Sequence, residues 1–263
     1  MLRYCSLFSG SSGNCTYVGT ADAGLLIDAG VSAKRIETAL LRREIEPSSI
    51  RAVLVTHEHS DHVTGLRVLC KRYGWPVLAS QGTLDALAAA DKVTPDQPLF
   101  LLQAERGVCV GDFRITPFDT PHDSRQCFGF RIEGGDRSLA LATDMGYVPD
   151  GLPAHLQGCQ LVHIESNHDP VMLANGPYPD YLKRRIRGEG GHLSNQACAA
   201  LLPELVSGGT TRIVLAHLSQ HNNTPDLADH TACAALQKAG QTVGRDCLLW
   251  VASPEDSQPV TYF

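Results

Sequence analysis

Apolar residues recur with two different periods along this chain, and the changes between them mark where strands give way to helices. Runs at 2–8, 15–18, 24–27 and 52–55 are β-branched or apolar and are bounded by Gly, Ser and Asp, which predicts strands. Helical spacing interrupts them at 33–43, where Ile36, Ala39, Leu40 and Leu41 form an apolar stripe and Ser32 can cap the first turn. Further helices are predicted at 62–73, ended by Gly74, Trp75 and Pro76, and at 83–90. Strands resume at 99–102, 113–116, 127–132, 138–142 and 160–164, followed by helices at 178–186 and 194–206. A buried strand at 213–216, a helix at 226–238 and a strand at 247–251 complete the order. Strands followed by helices in each half predict an α/β fold of four layers, an αββα sandwich in which two mixed sheets pack face to face beneath outer helices. No repeat, low-complexity tract or Pro/Ser-rich linker divides residues 1–263, so one domain is expected.

Composition narrows the picture only a little. The chain has 263 residues, enough for a substantial core. Residues 1–8 lack the apolar core of a signal peptide, and no stretch approaches the roughly 18 apolar residues of a membrane span, so a cytoplasmic protein without a membrane partner is expected. Nine cysteines are scattered singly, with no C-x-x-C pair, which argues against a disulfide framework or a zinc knuckle. The formal charge of −6 gives no general affinity for nucleic acid, although a whole-chain sum is silent about a basic patch beside a cleft.

Candidate chemistry is concentrated in one run. The apolar strand Val53-Leu54-Val55 leads directly into Thr56-His57-Glu58-His59-Ser60-Asp61-His62. On an extended turn residues two apart project the same way, so His57 and His59 can grip one ion while Asp61 and His62, where a helix begins, turn toward a neighbouring one. Two ions need more ligands than this run offers. Later strand ends offer His122, Asp144 and His217, each in a segment such as Val214-Leu215-Ala216-His217. A single histidine at a strand end is ordinarily structural; their joint order after the first run points to metal.

This series closely resembles the metallo-β-lactamase superfamily, whose five motifs run in the same order on an αββα sandwich. The resemblance implies that His57, His59 and His122 bind one ion and Asp61, His62 and His217 the other, with Asp144 bridging. It also implies that Asp28 orients the loop carrying the histidines. Two divalent ions per chain, Zn²⁺ or Mn²⁺, suit this nitrogen and oxygen donor set. Asp144, where zinc β-lactamases place cysteine, argues against antibiotic hydrolysis, and His59, where diiron oxygen reductases carry Glu, argues against that chemistry.

Two later segments bear on the branch. Glu165 ends the strand Leu161-Val162-His163-Ile164, and His192 precedes a helix that Ser194 can cap. This pairing is similar to the proton-transfer unit of ribonuclease Z. His168 and Asp169 read equally as turn residues or as support for the ligands. His155, His163, His221 and His230 read as ordinary structural or surface histidines. Together, Ser9-Gly10-Ser11-Ser12-Gly13-Asn14, Glu165 to Asp169, Gly191 to Asn195 and His217 to Asn223 resemble the YycJ (WalJ) group of exonuclease-like proteins over nearly the whole chain. No long insertion after Asp144 resembles a β-CASP cap and no protruding tRNA-binding arm is evident, which argues against RNA processing.

The expected activity is therefore a metal-dependent phosphodiesterase acting on nucleic acid, in the first place a DNA exonuclease working from 5′ ends, with no obligate protein partner. Asp61 would orient the attacking hydroxide, and His192, positioned by Glu165, would protonate the departing oxygen. Ser9, Ser11, Ser12, Asn14, Ser219 and Asn222 are the candidate contacts to a terminal phosphate, the Gly-rich loop at 9–14 reading either as an anion-binding nest or as a tight turn. Lys183 to Arg187 could face a phosphate backbone or be a solvated helix face. An ester, lactone or thioester hydrolase of the same fold, and a non-catalytic metal-binding regulatory protein, are the alternatives.

Overall fold

In a computed structural model that describes residues 1–263, the strands form two seven-stranded mixed sheets. The first contains β1 (Arg3–Phe8), β2 (Cys15–Gly19), β3 (Gly24–Ile27), β4 (Ile50–Leu54), β5 (Val77–Ala79) and β6 (Leu99–Leu101), hydrogen-bonded in that order. The second is built in reverse spatial order from β7 (Val108–Val110), β8 (Phe113–Asp119), β9 (Phe128–Gly134), β10 (Arg137–Ala142), β11 (Leu161–Glu165), β12 (Arg212–Ala216) and β13 (Leu248–Val251). A last strand, β14 (Thr261–Tyr262), returns to pair antiparallel with β1. Each sheet changes character partway: β3 to β6 are mutually parallel, as are β10 to β13, while the rest pair antiparallel.

Nearly continuous apolar runs make the inner parallel strands β3 to β5 and β10 to β12, whose two faces are covered, whereas the edge strand β6 is exposed along its length. Along β3 and β4, Leu25, Ile27, Ala52 and Leu54 point between the sheets, whereas Leu26 and Val53 point outward to the helices. The same alternation holds in the second sheet, with Leu139, Leu141, Leu161 and Val214 facing inward and Ala140, Val162, Ile164 and Ile213 outward. One exception lies in the central layer: His163 of β11 faces inward and meets Tyr4 of β1, with Oη 2.6 Å from Nδ1. The outer layers are α1 (Ala33–Leu41), α2 (Ser60–Val63), α3 (Leu66–Tyr73) and α4 (Gln81–Ala89) on one side. On the other lie α5 (Leu152–Leu156), α6 (Pro170–Asn175), α7 (Asp180–Arg187), α8 (Asn195–Ser207) and α9 (Pro225–Lys238). No helix is long and apolar enough to cross a membrane.

Several local expectations change. The helix expected over 62–73 is two helices, α2 and α3, broken at Gly65. There the backbone presses on the segment after β3: a Cβ on Gly65 would lie 2.4 Å from the Val31 carbonyl oxygen. Ser32 stands at the α1 N-cap without a side-chain cap bond, whereas Ser194 Oγ accepts from Ala197 N and does cap α8. The elements β5, β7, β14, α5 and α6 were not anticipated, because stretches of two to six residues show no usable period. All nine cysteines are free, and seven are buried.

Candidate active site

The parallel halves of the two sheets aim their carboxyl ends at one rim, the place where open α/β sheets bind ligands. Asp28 follows β3, His57 to His62 follow β4, Asp144 follows β10, Glu165 ends β11 and His217 follows β12. Two antiparallel steps from β10 bring the carboxyl end of β8 to the same rim, and His122 follows it. Asp28, Asp144 and His217 all take left-handed backbone conformations, with φ of 61°, 61° and 55°. Such residues cost free energy and persist where surrounding contacts over-determine them. For His217 the contacts are plain: its N–H donates to Ser9 Oγ (2.9 Å) and its carbonyl accepts from Asn167 Nδ2 (2.8 Å).

Two of the rim histidines are each turned by a partner on Nδ1. His62 Nδ1 lies 2.7 Å from Asp28 Oδ2, and Asp28 is itself fixed by Thr56 N and Thr56 Oγ1 at 2.8 and 2.9 Å. His122 Nδ1 donates to the Gly191 carbonyl at 3.0 Å. These bonds leave Nε2 of both rings facing the other donors, which His59 meets through Nδ1 and His217 through Nδ1 and Nε2. Ligand atoms of His57, His59 and His122 lie within 4.8 Å of one another, as do those of Asp61, His62 and His217, and those of His57, His62 and Asp144. Gly30 lets this loop close, since a Cβ there would lie 1.7 Å from the Asp61 carbonyl oxygen.

The donor set fits divalent metal. His57 Nε2 is buried with no hydrogen-bond partner, an uncommon state for an interior imidazole. His59 Nδ1 and His122 Nε2 face each other at 3.3 Å, two basic nitrogens that a shared cation would bridge. Burial, reinforced by His62, holds His57 well below its ordinary pKa and so keeps its lone pair available. Burial also opposes charge on His62 and His217, but Asp28 and Asp144 outweigh it for the first and Asp144 for the second, pushing His217 up to about 9. Burial likewise opposes ionisation of Asp144, yet His217 and His62 hold it well below the usual carboxylate range. The carboxylate charge that retains these protons would attract cations in their place.

Beside the ligands stands the second pair. His192 Nδ1 lies 2.7 Å from Glu165 Oε1, while Glu165 Oε2 accepts from Met145 N at 2.8 Å and Leu193 N at 3.1 Å. Glu165 is fully buried, whereas His192 keeps an exposed edge in a cleft of about 220 Å³. This cleft also holds His59, Asp61, His122, Asp144 and His217. A larger apolar hollow of about 290 Å³ between the edges of β6 and β7 contains no acid, base or metal-ligand cluster.

Other expected contacts sit differently. Only Ser11 and Ser219 of the six candidate phosphate contacts line the cleft. Ser9 is buried and spent on His217 N. Asn14 anchors the ligand loop, accepting from Gly10 N and lying 3.1 Å from His62 Nε2. Ser12 is exposed outside the cleft, and Asn222 is fully buried against Ser219 Oγ. His168 is buried and makes no hydrogen bond to any ligand; its backbone docks onto Ser194 and Asn195 at the start of α8. Asp169 caps α6, accepting from Val171 N and Met172 N. Of the basic run only Arg185 reaches the cleft, where it forms a two-pronged pair with Asp123. Asn167, Tyr178 and Leu182 line the cleft without having been anticipated, Asn167 being the one with a sequence cue, beside Glu165.

A family model described as "Beta-lactamase superfamily domain" matches residues 24–218. The chain is 35% identical to exodeoxyribonuclease YycJ of Bacillus anthracis over 261 residues, covering 99% of each protein. It is 36% identical to exodeoxyribonuclease WalJ of Streptococcus pneumoniae, covering 98% of this chain and 97% of that one. Among solved structures, the metallo-beta-lactamase fold protein YhfI of Bacillus subtilis superposes with a TM-score of 0.71 at 16% identity, over 97% of this chain and 98% of that one.

Proposed function

Because this chain belongs to the metallo-β-lactamase superfamily, in the branch of YycJ and WalJ, and is a metal-dependent hydrolase, we propose that it is a dinuclear exonuclease that shortens DNA from 5′ ends. The observation that carries this reading is the His192–Glu165 pair set beside a cluster of metal-type ligands at an open cleft. The two full-length relatives named as exodeoxyribonucleases supply the substrate class. His57, His59 and His122 would hold one divalent ion and Asp61, His62 and His217 the other, with Asp144 between them. When bound, Zn²⁺ or Mn²⁺ supplies Lewis acidity toward phosphoryl oxygens and lowers the pKa of water.

The chain's own groups account for orientation and proton movement. Asp61 has a part-exposed carboxylate whose Oδ2 lies 3.4 Å from His62 Nε2, and it orients the attacking water. The water oxygen gives up a proton to solvent as it bonds to phosphorus, and the P–O3′ bond of the terminal nucleotide breaks. His192 gives its Nε2 proton to the departing O3′, while Glu165 keeps Nδ1 engaged and the ring aimed. Cleavage on this side leaves a 5′-phosphate on the shortened strand, which restores the same kind of end. Ser11 and Ser219 line the cleft, and in this reading their hydroxyls would meet that phosphate.

A panel of labelled 5′-phosphorylated linear DNA, the 5′-hydroxyl form, RNA, closed circular DNA, bis(p-nitrophenyl) phosphate and a thioester tests this. Phosphorylated linear DNA should be cut fastest, the hydroxyl end more slowly, and the circle not at all. Turnover of the thioester alone would replace the phosphodiesterase reading with acyl hydrolysis. Circles cut as readily as ends would remove the end-binding part only. Elemental analysis after reconstitution should give two metal ions per chain, and a value that stays at one or below would overturn the dinuclear assignment.

A further inference from the structure

One wall of the cleft has a different chemistry. Leu182 and Ile186 stand one turn apart on α7, and Tyr178 stands just ahead of its N-cap, Pro179. Together they make an apolar strip in an otherwise polar cleft. Tyr178 is half-buried, and it is held before any ligand arrives. Pro179 restricts its backbone to extended conformations, and Pro177, with its own φ fixed, stiffens the chain leading into it. Two residues before Tyr178 the backbone packs closely on the buried Asn222, since a Cβ on Gly176 would meet Asn222 Oδ1 at 2.6 Å. The exposed His221 ring lies edge-to-face with the Tyr178 ring at 5.6 Å. The loop that begins at His217 therefore presents a metal-type ligand at one end and props this aromatic at the other.

Arg185 stands beside the strip. Its Nε and Nη2 engage the two oxygens of Asp123, with Nη2 at 2.9 Å from Oδ1, and Nη1 remains for another acceptor. At about 220 Å³ the cleft is smaller than the roughly 300–1,000 Å³ of pockets that enclose a drug-sized ligand, so it covers only part of one nucleotide and leaves the rest of a polymer outside.

We propose that this wall is a nucleoside subsite: the base of the terminal nucleotide stacks on Tyr178, its sugar packs against Leu182, and Arg185 holds the adjoining phosphate. The subsite rests on the phosphodiesterase reading above. Stacking suits an enzyme that must accept every base, because each base has a π-face, whereas hydrogen-bond readout would discriminate among them. A tyrosine on a backbone already restricted by two prolines loses little further backbone freedom on binding.

The test compares 5′-phosphorylated oligonucleotides whose terminal nucleotide either carries its base or is abasic, using metal-loaded protein. Wild type should show a KM about tenfold lower for the base-bearing end. Tyr178→Ala and Tyr178→Leu should each reduce that ratio to near one with metal content retained, and Tyr178→Phe and Tyr178→Trp should keep it. Arg185→Lys should raise KM for both oligonucleotides alike. A wild-type enzyme indifferent to the base, or a ratio that survives in Tyr178→Ala and Tyr178→Leu, would overturn the subsite while cleavage itself upholds the phosphodiesterase reading. Failure of metal-loaded wild type to cut either oligonucleotide or bis(p-nitrophenyl) phosphate would overturn both.

Discussion

Three of the rim histidines come from a single strand end, His57 to His62, whereas the groups that face them across the cleft come from segments far apart in the chain. The first region is anchored chiefly through one carboxylate, Asp28, which takes Thr56 N, Thr56 Oγ1 and His62 Nδ1 together. The second is tied by a buried amide and hydroxyl network. Asn223 Nδ2 donates to the carbonyls of Ser166 and Asn167, Asn195 Nδ2 donates to Asn223 Oδ1, and Ser166 Oγ donates to Asn195 Oδ1. Asn167 then passes the constraint on to the His217 carbonyl. A local run can be positioned by one well-placed acceptor. Residues 165, 192 and 217 share no local geometry, so a satisfied polar network must set their spacing, and each of its unpaired members would cost roughly 1–3 kcal/mol.

The largest effect should come from the residue that joins the two regions. Asp144→Ala removes a carboxylate within reach of both ligand groups, and metal content should fall well below two per chain, with activity lost alongside. Metal content near two in that variant would remove Asp144 from the bridging position. His192→Ala acts on the second region alone: kcat should fall by roughly 10²–10⁴-fold while metal content stays near wild type. Equal metal loss in the two variants would turn His192 into a ligand and end its assignment as proton donor.

Asp28→Asn tests the anchor of the first region. Losing the carboxylate behind a metal-binding histidine typically costs 10–100-fold in metal affinity, so a chelator competition should show a shift of that order. No shift would mean that the local run holds its own geometry. The smallest effect concerns stability and belongs to the second sheet. Burial holds His163 neutral, with its pKa pushed down to about 3, and Tyr4, kept protonated by its own burial, donates to it. The unfolded chain takes up this proton near pH 6.5, so the stabilisation is complete above that pH and declines as pH falls toward about 3. Denaturant unfolding should show about 1–2 kcal/mol lost between pH 7 and pH 5 from this group, and His163→Gln should lose less over the same interval. An identical pH dependence in both proteins would assign the acid sensitivity elsewhere.

The two regions were also unequally legible. Val53 to His62 reads as a strand running into ligands because period-two spacing and residue type lie in one short window. The Glu165 and His192 pairing was visible only through resemblance to another family, since nothing within ten residues of either names the other. Ser9, Asn14 and Asn222 carry polar side chains beside the right motifs, yet the fold uses them to brace loops. Tyr178 looked like part of an ordinary helix start.

The sequence by itself determined the layered α/β architecture and the order in which the candidate ligand residues occur, because hydrophobic period and strand-end position are local properties. Only the tertiary structure decided which ligand atoms converge, which polar side chains reach the cleft and which are consumed beneath it, and that α7 forms one of its walls. Those depend on how loops from separate parallel strands pack at one rim. Loops have no period, and whether a given hydroxyl or amide is free for a substrate depends on which distant backbone group has already taken its hydrogen bond.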